Sequence, residues 1–261
     1  MKHKPRKRFG QNFLHDQNVI ERIIAGISPR ASDLLVEIGP GQAALTRPLL
    51  ESGAELHLVE LDRDLVSDLQ KQFSDRDNIT IHACDALKAD FREITGGRPF
   101  RLLGNLPYNI STPLIFHVLQ WHRQIVDMHF MLQKEVVERM AAGPGSRTYG
   151  RLSIMTQYRC EVTPLFDVKP GSFSPRPKVC SSIVRLRPLD TPPVEVSSFK
   201  KLEQVVTAAF SMRRKTLRNS VRALFTADEI MAAGIDPGQR AEQLSLEQFA
   251  QLARALPNDA N

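Results

Sequence analysis

Along residues 18–140 two rhythms of apolar positions take turns. Val19, Ile20, Ile23, Ile24 and Ile27 recur three and four apart, which predicts one buried helical face. Residues 34–38 are an almost wholly apolar run that predicts a strand, and residues 45–50 a helix. The alternation continues with a strand at 55–59, a helix at 61–73, a strand at 79–82, a strand at 100–103, a helix at 113–121 and a strand at 125–132. Short strands separated by helices predict βαβ units and a parallel sheet. After residue 150 the order changes to a helix around 152–157 and two β-rich stretches, 158–164 and 179–186, which fit an antiparallel hairpin closing the sheet. Residues 187–198 form a proline-rich linker. Beyond them Leu202, Val205, Val206, Ala209 and Phe210 share one helical face. The pattern predicts an α/β domain over residues 1–190 and a small helical domain over 195–261.

Charge sharpens this picture by where it lies. The net charge is +6, from 35 Lys and Arg against 29 Asp and Glu. Lys2, Lys4, Arg6, Lys7 and Arg8 crowd residues 1–8 without an acid, and Arg213, Arg214, Lys215, Arg218 and Arg222 do the same in residues 211–222. Without those ten cations, 25 basic residues face 29 acidic ones. Two such patches are expected of a chain with a polyanionic partner. Cys84, Cys160 and Cys180 are far apart and odd in number, so no disulfide framework or zinc cluster is expected. The histidines show no ligand spacing, and no metal site is predicted. The basic N-terminus is not followed by a continuous apolar stretch, and no apolar run reaches membrane-spanning length. The expectation is a soluble, reduced, cytoplasmic protein.

The candidate chemistry sits at the ends of successive predicted strands. Residues 34–38 run into Gly39-Pro40-Gly41, where the glycines let backbone approach a ligand closely. The strand at 55–59 ends in Glu60, placed to bind two ribose hydroxyls at the sheet's carboxyl edge. The next ends in Cys84-Asp85-Ala86, where Asp85 can accept an adenine N–H. The fourth ends in Asn105-Leu106-Pro107-Tyr108. There the Asn105 side-chain oxygen and the Leu106 carbonyl can each accept one N–H of an exocyclic amino group. Pro107 stiffens the turn, and Tyr108 offers a face for a planar base. The spacing Gly39-x-Gly41-x-x-Ala44 also satisfies a relaxed dinucleotide fingerprint, so a nicotinamide oxidoreductase shares the glycine loop. It has no evident use for an amino-group clamp.

Four ordered stretches carry a resemblance: Phe9-Gly10-Gln11-Asn12-Phe13-Leu14, Glu37-Ile38-Gly39-Pro40-Gly41, Asn105 through Ser111, and Ser172 through Val179, with Arg213 through Asn219 in the tail. Together they resemble the small-subunit (16S) rRNA adenine N6,N6-dimethyltransferase family over nearly the whole chain. The resemblance implies a Rossmann-like class I methyltransferase fold, a seven-stranded mixed sheet with a small helical C-terminal domain. It implies S-adenosyl-L-methionine as donor and, as acceptors, two adjacent adenines near the 3′ end of 16S rRNA in the small ribosomal subunit. By the same token Gln11, Asn12 and Leu14 border the donor, Gly39 and Gly41 lie beneath it, Glu60 holds its ribose, Asp85 and Ala86 its adenine, and Asn105 joins donor and acceptor.

Phe173 precedes Ser174-Pro175-Arg176-Pro177, a proline-rich setting that predicts an exposed loop. With Tyr108 it would sandwich a flipped-out base. Asn105, Leu106, Pro107, Tyr108 and Phe173 are thus the expected catalytic set. On a continuous helix Arg214, Arg218 and Arg222 form one stripe, opposite Leu217, Val221, Leu224 and Phe225. Arg147, Arg176, Lys178, Arg213, Arg214, Lys215, Arg218 and Arg222 are the expected RNA contacts, and residues 143–149 a loop that closes over substrate. A monomer is expected. A related enzyme of large-subunit rRNA and a non-catalytic ribosome-assembly factor remain as competing readings.

Overall fold

The computed structural model describes residues 11–257; the first basic cluster, Lys2 to Arg8, and Phe9 and Gly10 lie outside them. In chain order the elements are β1 (Phe13–Leu14), α1 (Gln17–Ile27), β2 (Leu34–Ile38), α2 (Thr46–Leu50), β3 (Glu55–Glu60), α3 (Arg63–Gln72), β4 (Ile79–Ala83), α4 (Phe91–Thr95), β5 (Phe100–Asn105), α5 (Ser111–Val118), β6 (Ile125–Gln133), α6 (Lys134–Ala141) and α7 (Arg151–Gln157). Then follow β7 (Cys160–Val168), β8 (Phe173–Ser174), β9 (Ser181–Pro188), α8 (Phe199–Ala209), α9 (Leu217–Ser220), α10 (Ala227–Ala232) and α11 (Leu246–Ala255).

The chain divides into two compact units. One joins the described residues up to Val137 with Glu161–Pro188; the other joins Glu138–Cys160 with Leu189 onward. This differs from the linear division expected at residues 1–190 and 195–261: the segment 138–160 groups with the helical C-terminal part. Gln157 shows a local reason, since its Nε2 donates to the carbonyls of Met140 and Ala142 and ties α7 to the end of α6.

The first unit is a seven-stranded sheet in the order β4-β3-β2-β5-β6-β9-β7. The first five strands are parallel, and β9 is antiparallel to β6. β2 lies between β3 and β5 with every residue buried, which is why its sequence is apolar throughout. β9 inserts between β6 and β7, and both late strands begin two residues beyond the predicted stretches. Tyr158 and Arg159 are still engaged in closing α7 through bonds to Ile154 and Thr156. α3 starts at Arg63, later than predicted, because the Leu61 and Asp62 amides bond the Glu60 carboxylate and Asp62 caps the helix at the Asp64 amide. β1 and β8, too short to show any period, pair antiparallel as a separate ribbon.

In the second unit α8 packs on α11 and α7 through Leu202, Val205, Val206 and Ala209. The continuous helix expected to carry Arg214, Arg218 and Arg222 is absent. Residues 210–216 turn, α9 holds only four residues, and 221–224 turn again. Leu217 and Val221 are buried while all five cations of the cluster are exposed, so inside and outside were correctly divided but no helical stripe exists. The segment 143–149 is pinned and does not match the expected closing loop. Gly145 N–H donates to the Glu242 carbonyl at 2.7 Å, and buried Tyr149 meets the Phe210 ring edge-on.

β4 to β5 is where the strand order reverses, with β2 between β3 and β5. Ligands of open α/β sheets bind at the carboxyl ends of such strands. Gly104 sets how tightly they converge. A Cβ there would stand 2.4 Å from the Ile38 carbonyl oxygen at the end of β2. Gly104→Ala is expected to cost on the order of 1–3 kcal/mol, read as a lower urea midpoint with an unchanged slope.

Candidate active site

A cavity of about 340 Å³ opens at the carboxyl ends of β2, β3, β4 and β5, and the whole of its lining belongs to the first unit. That volume suits a nucleoside-sized ligand. Its floor is Gly39-Pro40-Gly41. Gly39 and Gly41 hold φ of 64° and 56°, and a Cβ on Gly41 would meet the Phe13 ring at 3.0 Å. Glu60 at the end of β3 turns its carboxylate into this floor. Oε1 accepts the Leu61 and Asp62 amides at 2.9 Å each, and Oε2 faces the Gly41 amide at 3.4 Å. Burial raises its carboxyl above the ordinary range, against the pull of those backbone bonds. At the end of β4, Asp85 lines the cavity while its Oδ1 accepts the Leu87 amide at 3.0 Å, so a tight turn holds the carboxylate in place. Its second oxygen accepts no hydrogen bond among the described residues.

The fourth strand end carries the decisive geometry. Asn105 Nδ2 donates to the backbone carbonyl of Asn12 at 2.9 Å. Only the NH₂ side of the amide can make that bond, so the amide orientation is fixed and Oδ1 becomes the available end. No donor among the described residues bonds Oδ1. Leu106 N–H is used by the Met131 carbonyl at 3.1 Å, while the Leu106 carbonyl accepts no hydrogen bond among the described residues. Both acceptors stand at the cavity with Pro107 and Tyr108. Tyr108 is moored through its hydroxyl to Ser181 Oγ on β9 at 2.6 Å, and burial raises its phenol above the ordinary range. Ser111 Oγ donates to the Pro107 carbonyl at 3.0 Å and closes the turn.

The N-terminal segment is strapped across this site. Gln11 Nε2 donates to Asp62 Oδ2 at 3.2 Å, Phe13 lies over Gly41, and Leu14 pairs with Phe173 through the β1–β8 ribbon. Ser172 Oγ donates to Asp16 Oδ2 at 2.8 Å beside that ribbon. The result is a closed nucleoside pocket next to an amino-group clamp.

The chain matches the ribosomal RNA adenine dimethylase family over residues 2–257. It belongs to that family. It is 57% identical over 255 residues to the "Ribosomal RNA small subunit methyltransferase A" of Pseudomonas syringae pv. syringae, covering 97% of this chain and 95% of that protein. The protein of the same name from Methylococcus capsulatus is 54% identical over 98% of this chain and 99% of its own. Among solved structures, a dimethyladenosine transferase from Plasmodium falciparum superposes with a TM-score of 0.77 at 28% identity, over 92% of this chain and 95% of that one. The 23S rRNA methyltransferase ErmE superposes at 0.72 with 27% identity, over 94% and 99%. The protein is therefore a Rossmann-like class I methyltransferase whose donor is S-adenosylmethionine, and the glycine floor with Glu60 and Asp85 at consecutive strand ends fits that donor.

The cavity gathers Gln11, Asn12, Leu14, Gly39, Gly41, Glu60, Asp85, Ala86, Asn105, Leu106, Pro107 and Tyr108, every donor and clamp residue expected from the dimethylase motifs. Phe173 is not among them. It is 2% exposed and packs in a core cluster with Leu14, Ile20 and Ile23, because pairing with Leu14 turns its ring inward. The expected exposed loop therefore begins only after it. Arg147, Arg176, Lys178, Arg213, Arg214, Lys215, Arg218 and Arg222 are all exposed, and Arg213 is already engaged, donating to the Arg147 carbonyl and standing 3.7 Å from Glu242. Sequence reasoning missed Phe13, Glu37, Ser172 and Ser181. Phe13 stood inside a recognised motif, but nothing in it told which of two neighbours faces the ligand. Phe173→Ala is expected to lower stability by about 3–5 kcal/mol, measurable by urea unfolding; an unchanged midpoint would return the ring to an exposed position.

Proposed function

We propose that the protein transfers methyl groups from S-adenosylmethionine to N6 of two adjacent adenines near the 3′ end of 16S rRNA, giving N6,N6-dimethyladenosine during small-subunit biogenesis. It does so as a cytoplasmic monomer. The observation that carries this reading is the Asn105 amide, held by Asn12 with its oxygen toward the cavity beside the Leu106 carbonyl. The small-subunit target is favoured by relatives above 50% identity that bear that name, against 27% for the large-subunit enzyme.

When bound, the donor supplies an electrophilic methyl on a positively charged sulfur with a good leaving group. The residues must then deal with the adenine amino group, whose lone pair is delocalised into the ring. Oδ1 of Asn105 and the Leu106 carbonyl accept its two N–H bonds, favouring a pyramidal nitrogen with its lone pair aimed at the methyl. The same two dipoles stabilise the positive charge that develops on nitrogen. Tyr108, moored at Ser181, stacks on the base and holds it at attacking distance. The proton leaves to water. Neutral acceptors suit a second transfer, because an amide loses less than a carboxylate would when only one N–H remains. Phe173 serves this arrangement from beneath, by fixing Leu14 and the strap.

The exposed cations Arg214, Lys215, Arg218 and Arg222, with Arg176 and Lys178 on the other unit, contact RNA phosphates. Replacing Arg214, Arg218 and Arg222 by Gln is expected to flatten the plot of log affinity against log salt by about 0.7–0.9 per lost contact. An unchanged slope would put the RNA surface elsewhere.

The reading is tested with labelled donor and unmodified small subunits, followed by nucleoside analysis. N6,N6-dimethyladenosine in 16S rRNA is expected; label in another nucleoside, or only in large-subunit RNA, would overturn it. Asn105→Ala is expected to slow transfer by roughly 10²–10³-fold while donor affinity stays within a few-fold, as read by filter assay and equilibrium binding.

A further inference from the structure

Glu37 has no part in the account above, yet it lines the cavity two residues before Gly39 and is 2% exposed. Thr46 Oγ1 at the start of α2 donates to its Oε2 at 2.7 Å. Among the described residues no hydrogen bond reaches Oε1. A buried carboxyl oxygen left without a donor is costly, so a charged Glu37 is satisfied only by something the cavity admits. The elements around it offer little relief. Its register partners are Leu58 on β3 and Leu103 on β5, both apolar. α2 contributes the neutral Thr46, and Glu60 adds a like charge. No Lys, Arg or His is among the described residues that line the cavity. Burial therefore raises the Glu37 carboxyl to about 7, the Thr46 bond opposing and Glu60 reinforcing.

Glu37, Glu60 and Asp85 thus stand at the ends of β2, β3 and β4, three acids in a pocket without a cation. Two of them are accounted for by ribose and adenine. The third stands under the glycine floor, at the end of the strand next to β5 and its Asn105. We infer that Glu37 receives the α-ammonium of the methyl donor's amino-acid arm. The inference rests on the donor reading of this cavity and extends it to a third anchor. With adenine, ribose and ammonium each held by an acid on a different strand, the donor has one orientation, and the methyl has one line of approach to Asn105.

The charge state follows. Ligand-free Glu37 is substantially protonated near pH 7. An ammonium beside it favours the carboxylate and draws its pKa down toward the ordinary range. Seating the arm therefore forms an ammonium–carboxylate hydrogen bond and releases the Glu37 proton to buffer.

Two ligands separate the possibilities. S-adenosylhomocysteine carries the amino-acid arm, and 5′-methylthioadenosine keeps the adenosine but lacks that arm. Calorimetric titration of the full chain at pH 7, in buffers of different ionisation enthalpy, is expected to show proton release with the first ligand and none with the second. Glu37→Gln preserves the shape and the acceptor for Thr46. It is expected to weaken S-adenosylhomocysteine roughly 10–100-fold, to leave 5′-methylthioadenosine within twofold, and to abolish the proton release. Equal proton release by both ligands in the wild type, a measurement that needs no variant, would overturn the assignment. So would a variant in which both ligands weaken alike, since that is the signature of a merely structural acid beneath the glycine floor. Failure of both ligands to bind the wild type would overturn the donor site itself, and this assignment with it.

Discussion

The structure turns on a single hydrogen bond, from the Asn105 side-chain NH₂ to the main-chain carbonyl of Asn12. A primary amide has one donating and one accepting end. Committing the donating end to a carbonyl leaves the accepting end with one direction, toward the cavity. The partner comes from the strap, which is itself held by Gln11 on Asp62 and by the β1–β8 ribbon. Residues that border the donor therefore also orient the group that grips the acceptor. Neither half of the reaction can be assembled without the other, which suits an enzyme whose catalysis consists of alignment.

Charge is distributed to match. The pocket for a cationic donor holds carboxylates at the ends of three adjacent strands, and the clamp beside it is built from neutral oxygens. Neutral acceptors stabilise a nitrogen acquiring positive charge without competing with the pocket's acids for the donor. Cations are kept to exposed turns, where they meet a polyanion and do not weaken the pocket. Burial supports this arrangement by raising the carboxyls of Glu37 and Glu60.

Much of this was legible in the sequence, for identifiable reasons. β2 to β6 lie in the interior of a sheet or border it, so their apolar runs stood out from amphipathic helices, and side chains at strand ends fell where a parallel sheet gathers them. What escaped notice depends on contacts between distant segments. The β1–β8 ribbon is two residues long on each side, too short for any period, and it is that ribbon which buries Phe173 despite its proline-rich surroundings. The break in the helix at 210–216 is stabilised from afar, by the Leu217 and Arg218 amides bonding the carbonyls of Gln239 and Pro237. Segment 138–160 joins a unit otherwise made of residues past 188, a grouping no local pattern records. Gly104 looked like any strand glycine until the Ile38 carbonyl was found against it.

The most direct test is a crystal structure of the protein with S-adenosylhomocysteine and an adenosine-containing acceptor. The account predicts the adenine N6 within about 2.7–3.2 Å of both Asn105 Oδ1 and the Leu106 carbonyl oxygen, with Nδ2 still on the Asn12 carbonyl. An acceptor base bound with its amino group away from these two oxygens, or an Asn105 amide turned so that Oδ1 faces Asn12, would contradict it.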